Sequence, residues 1–464
     1  MKDLTQGRIE PHLLRMGGAI LVSMLAGNLF ALANLYWLGR LGPEAQAAVT
    51  LAGFPVMLLL TLMPVLSVGS GILIAQSVGA KDRDRADRIF NEAFGAALLF
   101  MLAFGTFAWI ERDAFGRLLT ADPRAAEMIS TYFRWFIPSI VVQLPLYIIA
   151  GALEFTGNVR VGTIAQTATV ALNALLSPVL MFGWLGLPAL GVAGTGLAAF
   201  LACGTVMLGL LVYFLRRSAY LTLQPTIWFS KPRELWPALK IGLPTGIESG
   251  VLALYLLAIA LILRPFGAAD QAAFGVGQRI FQAALLPLMA LSSATCVIVG
   301  QSHGAGLPDR VRDTLRCGLR VAMIVAPLLL LALELGAPWI LAAFTDDAEV
   351  RVAGTQLLRI VAITVLPSAA AYVIFAALSG QGNTRASLFT QLVYAGLVVA
   401  VALLLSRLPG FRPAWLWIAM GAAGFVQCAM AVFFLRRHTA RRDDATPATA
   451  APATAAPVEL GAAS

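Results

Sequence analysis

The chain repeats itself at a constant offset of 225 residues. The segment LGRLGPEAQAAV at 38–49 returns as LRPFGAADQAAF at 263–274, AQSVGAKDRDR at 75–85 as GQSHGAGLPDR at 300–310, and ALEFTGNVR at 152–160 as ALSGQGNTR at 377–385. Pro188 and Gly196 fall on Pro413 and Gly421. Gln, Asn, Arg and Gly recur in register, so shared richness in Ala and Leu does not account for the match. A duplicated unit of this kind folds as two similar lobes.

Composition sets the solvent. Of the 464 residues, 59% are hydrophobic and only 12% charged. A soluble globular chain carries about 25% charged residues, so this one lacks the polar surface to face water. About 20 apolar residues cross a bilayer as a helix. Twelve such spans are expected, near 12–38, 46–78, 89–109, 125–153, 160–182, 190–215, 238–263, 271–301, 314–336, 350–378, 386–408 and 412–435. The runs are too long for barrel strands and lack their alternation. Backbone polar groups in lipid must be satisfied within each segment, so the fold class is all-α integral membrane. Six spans per repeat return the chain to its starting side. The two six-helix bundles therefore share one orientation, related by an axis along the membrane normal.

This division gives an N-terminal lobe over 1–215, an inter-lobe linker over 216–237, a C-terminal lobe over 238–435, and a basic then Ala/Thr/Pro-rich tail over 436–464. The linker, with Pro225, Pro232 and Pro237, reads as irregular, with a short interfacial turn held by Trp228 and Trp236. The tail has no apolar period and reads as disordered.

The net charge of +9 suggests a nucleic-acid partner, but its distribution argues otherwise. By side, 22 Lys and Arg fall with the termini and 10 on the opposite face, with Arg279 inside a span. That asymmetry is the positive-inside bias, which places both termini in the cytoplasm and leaves anionic headgroups as the acidic partner. Residues 1–15 include Asp3 and Glu10, and the first span is too long for a signal-peptide core, so no cleaved leader is expected. Cys203, Cys296, Cys317 and Cys428 have neither metal nor redox spacing, and His12, His303 and His438 form no ligand cluster. No cofactor is expected. Loops are too short for a catalytic or nucleotide-binding domain, so transport would have to draw on an ion gradient.

Taken in order, the repeated segments resemble the MATE (multidrug and toxic compound extrusion) family, bacterial branches above all. The resemblance rests on LGRLG after the first span, AQSVGAKD and GQSHGAG after the second and eighth, the GNxR-like turns after the fourth and tenth, and GLPALGVAGTGLA between the fifth and sixth. It covers about residues 10–435. It implies two six-helix bundles in a V around a central cavity that opens to each side in turn. It also implies export of amphipathic, often cationic compounds in exchange for H+ or Na+. The chain departs from the family at its acids. Asn34 stands where the first span often carries Asp, Ser177 replaces the acid of the fifth span beside a retained Asn173, and Ser368 follows Pro367 where the tenth span can carry Asp.

An acid or base at mid-bilayer costs about 2.5–3.5 kcal/mol on insertion scales, so one that is kept faces a cavity or a partner. Most acids here lie in loops or at span ends, and Glu154 and Glu334 are read as solvated for that reason. Glu248 lies ~16 Å into the seventh span at 1.5 Å per residue. Arg279 is the comparable base in the eighth. Their repeat counterparts are Ser23 and Phe54, so this charge is confined to one lobe. Glu248 is the candidate ion-coupling carboxylate. The competing reading is a static Glu248–Arg279 ion pair locking two helices. Arg279, Gln278, Gln282, Tyr255, Asn34, Asn173, Ser177, Gln143, Tyr147 and Ser368 are candidate cavity residues. Interhelical hydrogen bonding is the plainer role for the N-lobe members of that set. Pro55, Pro64, Pro138, Pro145, Pro287 and Pro367 are expected to kink their spans.

The expected protein is thus a monomeric secondary active exporter in a bacterial inner membrane, taking small amphipathic molecules. A major-facilitator-type transporter and a lipid-linked oligosaccharide flippase are the nearer alternatives. A polytopic membrane enzyme is the remoter one, since no acid pair or metal cluster marks an interface.

Overall fold

The computed structural model describes residues 4–216, 220–228 and 232–445. Its first half comprises α1 (Ile9–Leu41), α2 (Pro43–Leu60), α3 (Met63–Gly79), α4 (Arg83–Ile110), α5 (Arg112–Leu119), α6 (Pro123–Phe155), α7 (Val159–Phe182) and α8 (Val192–Arg216). After the short α9 (Pro225–Trp228), the second half comprises α10 (Leu235–Ile262), α11 (Ala268–Gly304), α12 (Pro308–Ala342), α13 (Ala348–Ala362), α14 (Val365–Gly380), α15 (Arg385–Leu405) and α16 (Pro413–Ala445). Ten of these are each long and apolar enough to cross a bilayer, and α13 with α14, bent by 53° at their junction, makes an eleventh. End to end, α2 and α3 occupy the expected second span, so every expected span has its helical counterpart.

The two lobes break at different places. The second span stops at Thr61–Leu62, while its repeat α11 runs unbroken through Pro287. The tenth stops at Ile363–Thr364, while its repeat α6 runs unbroken through Pro138 and Pro145. In both broken spans the proline falls in the first turn of the second piece, Pro64 in α3 and Pro367 in α14. Proline's missing N–H costs nothing there, because first-turn N–H groups have no intrahelical partner.

The described parts of the linker, 220–228 and 232–237, lie along α4. Asp87 accepts from the backbone N and the hydroxyl of Thr222 at 2.7 and 3.0 Å. Asn91 accepts from Gln224 N at 2.7 Å and Trp228 Nε1 at 2.9 Å, and donates to Thr222 O at 2.8 Å. Glu92 accepts from Glu234 N and Leu235 N. All three α4 side chains are buried, so their burial is compensated by hydrogen bonds. Trp228 is held as expected, whereas Trp236 is exposed. Of the expected tail, 436–445 continues α16, and the stretch from 446 onward lies outside the described residues.

The lobes exchange their leading segments at the end that carries both termini. Arg310, in the first turn of α12, donates to the carbonyls of Leu4, Gln6 and Gly7 ahead of α1. Its repeat counterpart Arg85 binds Glu234 ahead of α10 at 3.2 Å. The base of α1 consequently packs into the C-lobe core through Leu13, Met16 and Ile20, and Ala238 at the base of α10 packs into the N-lobe core.

Between these bases α3 and α11 meet across the pseudo-twofold axis. Gln76 Nε2 donates to the Gly380 carbonyl at 3.0 Å, and its counterpart Gln301 Nε2 donates to the Phe155 carbonyl at 2.9 Å. A Cβ on Gly79 would overlap the Gln301 carbonyl oxygen, and one on Gly304 would overlap that of Gln76. On the flank, a Cβ on Gly242 would overlap Val65 O, and one on Gly69 would overlap Ala238 O. Small residues here let backbones touch, as in close helix packing within membranes. Ala75 and Gly300, also 225 apart, sit nearest the axis, with 3.0 Å between the Ala75 Cβ and a Cβ built on Gly300.

That spacing generates a prediction. A disulfide holds its two Cβ atoms about 3.8 Å apart. With the four native cysteines replaced, Ala75→Cys/Gly300→Cys is expected to cross-link on mild oxidation and to lock the lobes together at this end. Absence of any mass-detected cross-link would contradict the seam. Gln76→Ala and Gln301→Ala each remove a hydrogen bond of about 0.5–1.5 kcal/mol. Each is expected to raise thiol labelling of a lone cysteine at position 75 severalfold.

Candidate functional site

Past the seam, away from the termini, lies a cavity of about 540 Å³ between α1, α3, α6, α7 and α11. Its walls mix apolar surface (Ile20, Met24, Val68, Leu146) with hydroxyls and amides (Ser23, Ser67, Gln143, Tyr147, Gln166, Ser293). The lone charged side chain in that lining is Glu154, in the last turn of α6. No ion pair joins it to any described residue. Ser23 donates to Gln166 at 3.0 Å and ties α1 to α7 across one wall.

Glu154 is the cavity acid that reasoning from span ends misses, since its place near a helix terminus predicts a solvated side chain. The last turn of α6 does not end in water, however. Gln301 of the other lobe binds the Phe155 carbonyl, and the Phe155 ring fills the space over Gly71. Glu154 is therefore at the floor of the cavity, next to the seam. A signal existed in the repeat, since ALEFTGN carries an acid where ALSGQGN carries Ser379.

Glu248 occupies a second polar position, inside the C-lobe. Ser387 on α15 lies with its hydroxyl 3.0 Å from each carboxylate oxygen. The opposite face of α10 meets α3 through Ala238, Gly242 and Gly246. Since 100° separates successive residues, Glu248 points about 200° away from Gly246. One helix thus carries seam contacts on one face and an acid on the other. In the other lobe Ser23, the counterpart of Glu248, bonds Gln166, one turn beyond the Gly162 that matches Ser387, so the equivalent helix pair is joined by a neutral contact.

Glu248 and Arg279 are not an ion pair. Among the described residues the four salt bridges are Arg85–Glu234, Arg112–Asp113, Arg312–Asp309 and Arg316–Asp313, all outside the bilayer centre. Arg279 and Gln282 are exposed on α11, and Gln278 is half-buried beside them. Helical spacing grouped these three correctly but could not say which way their face turns. Tyr255 is buried in the core of α10, α15 and α16, with its ring 5.6 Å from that of Tyr394. Asn173 accepts from Ser177 at 2.9 Å within α7. The buried Asn34 Oδ1 has no hydrogen-bond partner. Ser368 is half-buried in the first turn of α14. Of the candidates, Gln143 and Tyr147 line the interlobe cavity. Among the described residues no group of three His, Cys, Asp or Glu is placed to hold a metal ion.

Comparison with known proteins agrees with this geometry. The MatE family model matches residues 19–179 and again 244–404, two copies at the same 225-residue offset as the internal repeat. The chain is 25% identical to the probable multidrug resistance protein YoeA of Bacillus subtilis, over 90% of this chain and 93% of that one. It is 28% identical to the probable multidrug resistance protein NorM of Deinococcus radiodurans, over 93% and 96%. A FAD transporter of Shewanella oneidensis is 25% identical over 72% and 75%. Among solved structures, a MATE protein in complex with MaL6 superimposes with a TM-score of 0.88 at 20% identity, covering 95% of this chain and 99% of that one. A MOP superfamily transporter from Pyrococcus furiosus does so with a TM-score of 0.87 at 20% identity. The major-facilitator alternative falls with these matches. With both halves matched in register, the chain belongs to the MatE family, the multidrug and toxic compound extrusion proteins.

Proposed function

We propose that this protein is a secondary active multidrug exporter that antiports amphipathic, often cationic compounds against H+ or Na+ by alternating access. The observation that carries the reading is the asymmetry along the pseudo-twofold axis. The lobes are sealed backbone to backbone at one end, and a cavity opens between them directly behind the seal. The names of the Bacillus and Deinococcus relatives support it. The basic residues gathered at the sealed end support reading that end as cytoplasmic, in a bacterial inner membrane. A cargo entering from the cytoplasm must then part Gln76 from Gly380 and Gln301 from Phe155.

In this reading Glu248 is the coupling carboxylate. Among the described residues it is held by one hydroxyl and no cation, so gaining or losing a positive charge changes its balance with Ser387. Because α10 also carries Gly242 and Gly246, a change at the acid reaches the seam through one rigid helix. Glu154 receives the positive end of the cargo. The cavity lining pairs one acid with apolar walls, a combination that suits an amphipathic cation. An anionic cargo such as flavin dinucleotide finds no basic side chain in that lining.

Everted vesicles with proton and sodium gradients imposed separately test the coupling. Glu248→Gln is expected to abolish gradient-driven export while membrane insertion persists, and full retained transport by that variant would remove the coupling role. Ser387→Ala deletes a hydrogen bond to a charged group, worth about 1.5–3 kcal/mol. It is expected to slow exchange roughly tenfold and to shift its pH profile. Glu154→Gln should lower export of a monocationic dye about tenfold, the order of one lost charge contact, and leave a neutral substrate within about twofold. Equal loss for both substrates would assign Glu154 a packing role instead.

A further inference from the structure

At the end carrying the termini, two adjoining pockets lie on the outer flank of the C-lobe, away from the interlobe cavity. One, of about 480 Å³, is formed by the start of α15 and the end of α16, and is lined by Arg385 and Arg437 together with Phe389, Phe433 and Phe434. The other, of about 340 Å³, is formed by the α14–α15 turn and the base of α10, and adds Lys240. Asn383, Arg385 and His438 line both. Neither lining contains a carboxylate, and neither Arg385 nor Arg437 has an acidic partner among the described residues. Lys240 lies 5.4 Å from the ring of Trp236, an arrangement that holds its ammonium without neutralising it.

The chemistry divides by depth. Phe389 and Phe433 are 54% and 57% exposed, an apolar wall on a membrane-spanning surface that a chain in water would not leave open. Directly above it stand fixed positive charges with amide donors beside them. Apolar below and cationic above is the complement of one molecule class, a membrane lipid with an anionic headgroup. We propose that these two pockets are a specific site for an anionic phospholipid, its phosphate between Arg385 and Arg437, its headgroup reaching Lys240, and an acyl chain on the Phe389–Phe433 wall.

The position gives the site a consequence. The α14–α15 turn that lines it also supplies Gly380, whose carbonyl Gln76 grips across the seam, and Thr384, whose hydroxyl donates to Ile241 O on α10 at 2.6 Å. A lipid bridging α10, α15 and α16 braces the turn that receives the clamp. The site rests on the membrane reading alone and stands whether or not Glu248 couples transport.

The full chain, reconstituted in nanodiscs of phosphatidylcholine with and without phosphatidylglycerol, supplies the test. Native mass spectrometry after gentle release is expected to find phosphatidylglycerol retained in preference to phosphatidylcholine. Arg385→Gln/Arg437→Gln is expected to cut that retention at least about tenfold. Arg312→Gln/Arg316→Gln, two basic residues outside the pockets, should leave it within about twofold. Unchanged retention in the first variant, or equal loss of both lipids, would overturn the site. So would displacement of the lipid by inorganic phosphate, which would mark a free-anion site instead. Should the first variant not fold, phenylglyoxal labelling of the unaltered protein decides. Arg385 and Arg437 are expected to be protected in phosphatidylglycerol nanodiscs and labelled in phosphatidylcholine, and equal labelling in both refutes the proposal.

Discussion

Contact of backbone with backbone across the pseudo-twofold axis is the constraint on which the rest of this structure depends. Gly79 and Gly304 each lie against the carbonyl of the glutamine that begins the other lobe's motif, and Ala75 meets Gly300 beside the axis. Such a joint has little adaptability, because no flexible side chain stands between the two surfaces. It is either made in register or broken, which is the behaviour required of a two-state element. The two reciprocal hydrogen bonds from Gln76 and Gln301 add direction. Each reaches a carbonyl at the end of a helix that belongs to the opposite lobe. Parting the lobes therefore strips the last turns of α6 and α14 of their partners at the same moment.

The same end shows how the lobes are prevented from drifting apart once parted. Arg310 keeps the segment before α1 on the C-lobe, and Arg85 keeps the segment before α10 on the N-lobe. Thr222, Gln224 and Glu234 of the linker are fastened to α4 by Asp87, Asn91 and Glu92. These buried polar groups have no equivalents in the second lobe, where Arg312, Arg316 and Cys317 occupy the matching positions. The difference follows from connectivity, since only the first lobe has a linker to hold.

Much of this was legible in the chain. Twelve apolar spans, one orientation for both lobes and the register of every repeated motif followed from hydropathy and the 225-residue offset. The glutamines and glycines of AQSVGAKD and GQSHGAG were visible as repeated residues. That they meet each other was not, because a repeat states equivalence and says nothing about where the axis passes. Depth was the weakest inference. Counting from span ends put Glu154 in water. The end of α6 is instead covered by the other lobe. Distance along a helix fixes a residue's height, and only the neighbouring helices fix what its face meets. The breaks at Thr61–Leu62 and Ile363–Thr364 lay just before expected kink prolines, yet the unbroken α6 and α11 carry interior prolines too. Proline permits a break there, and packing decides whether one occurs.

The two acids give the symmetric frame a preferred sense. Glu154 belongs to the N-lobe and its counterpart is Ser379; Glu248 belongs to the C-lobe and its counterpart is Ser23. In each case a carboxylate on one side faces a hydroxyl at the equivalent place on the other. An acid within a span costs about 2.5–3.5 kcal/mol on insertion scales, so neither position is neutral to the fold. Both lie one turn or less from residues that make the seam, Glu154 beside Phe155 and Glu248 just beyond Gly246. A twofold frame without them would offer two equivalent sites and no distinction between cargo and ion. With one acid in the cavity and the other buried inside a lobe, the two charges meet different surroundings. A cation at the first is in contact with whatever fills the cavity, and a cation at the second is not. The frame supplies the two states, and in the proposed function these unmatched carboxylates are what would let different ligands bias them.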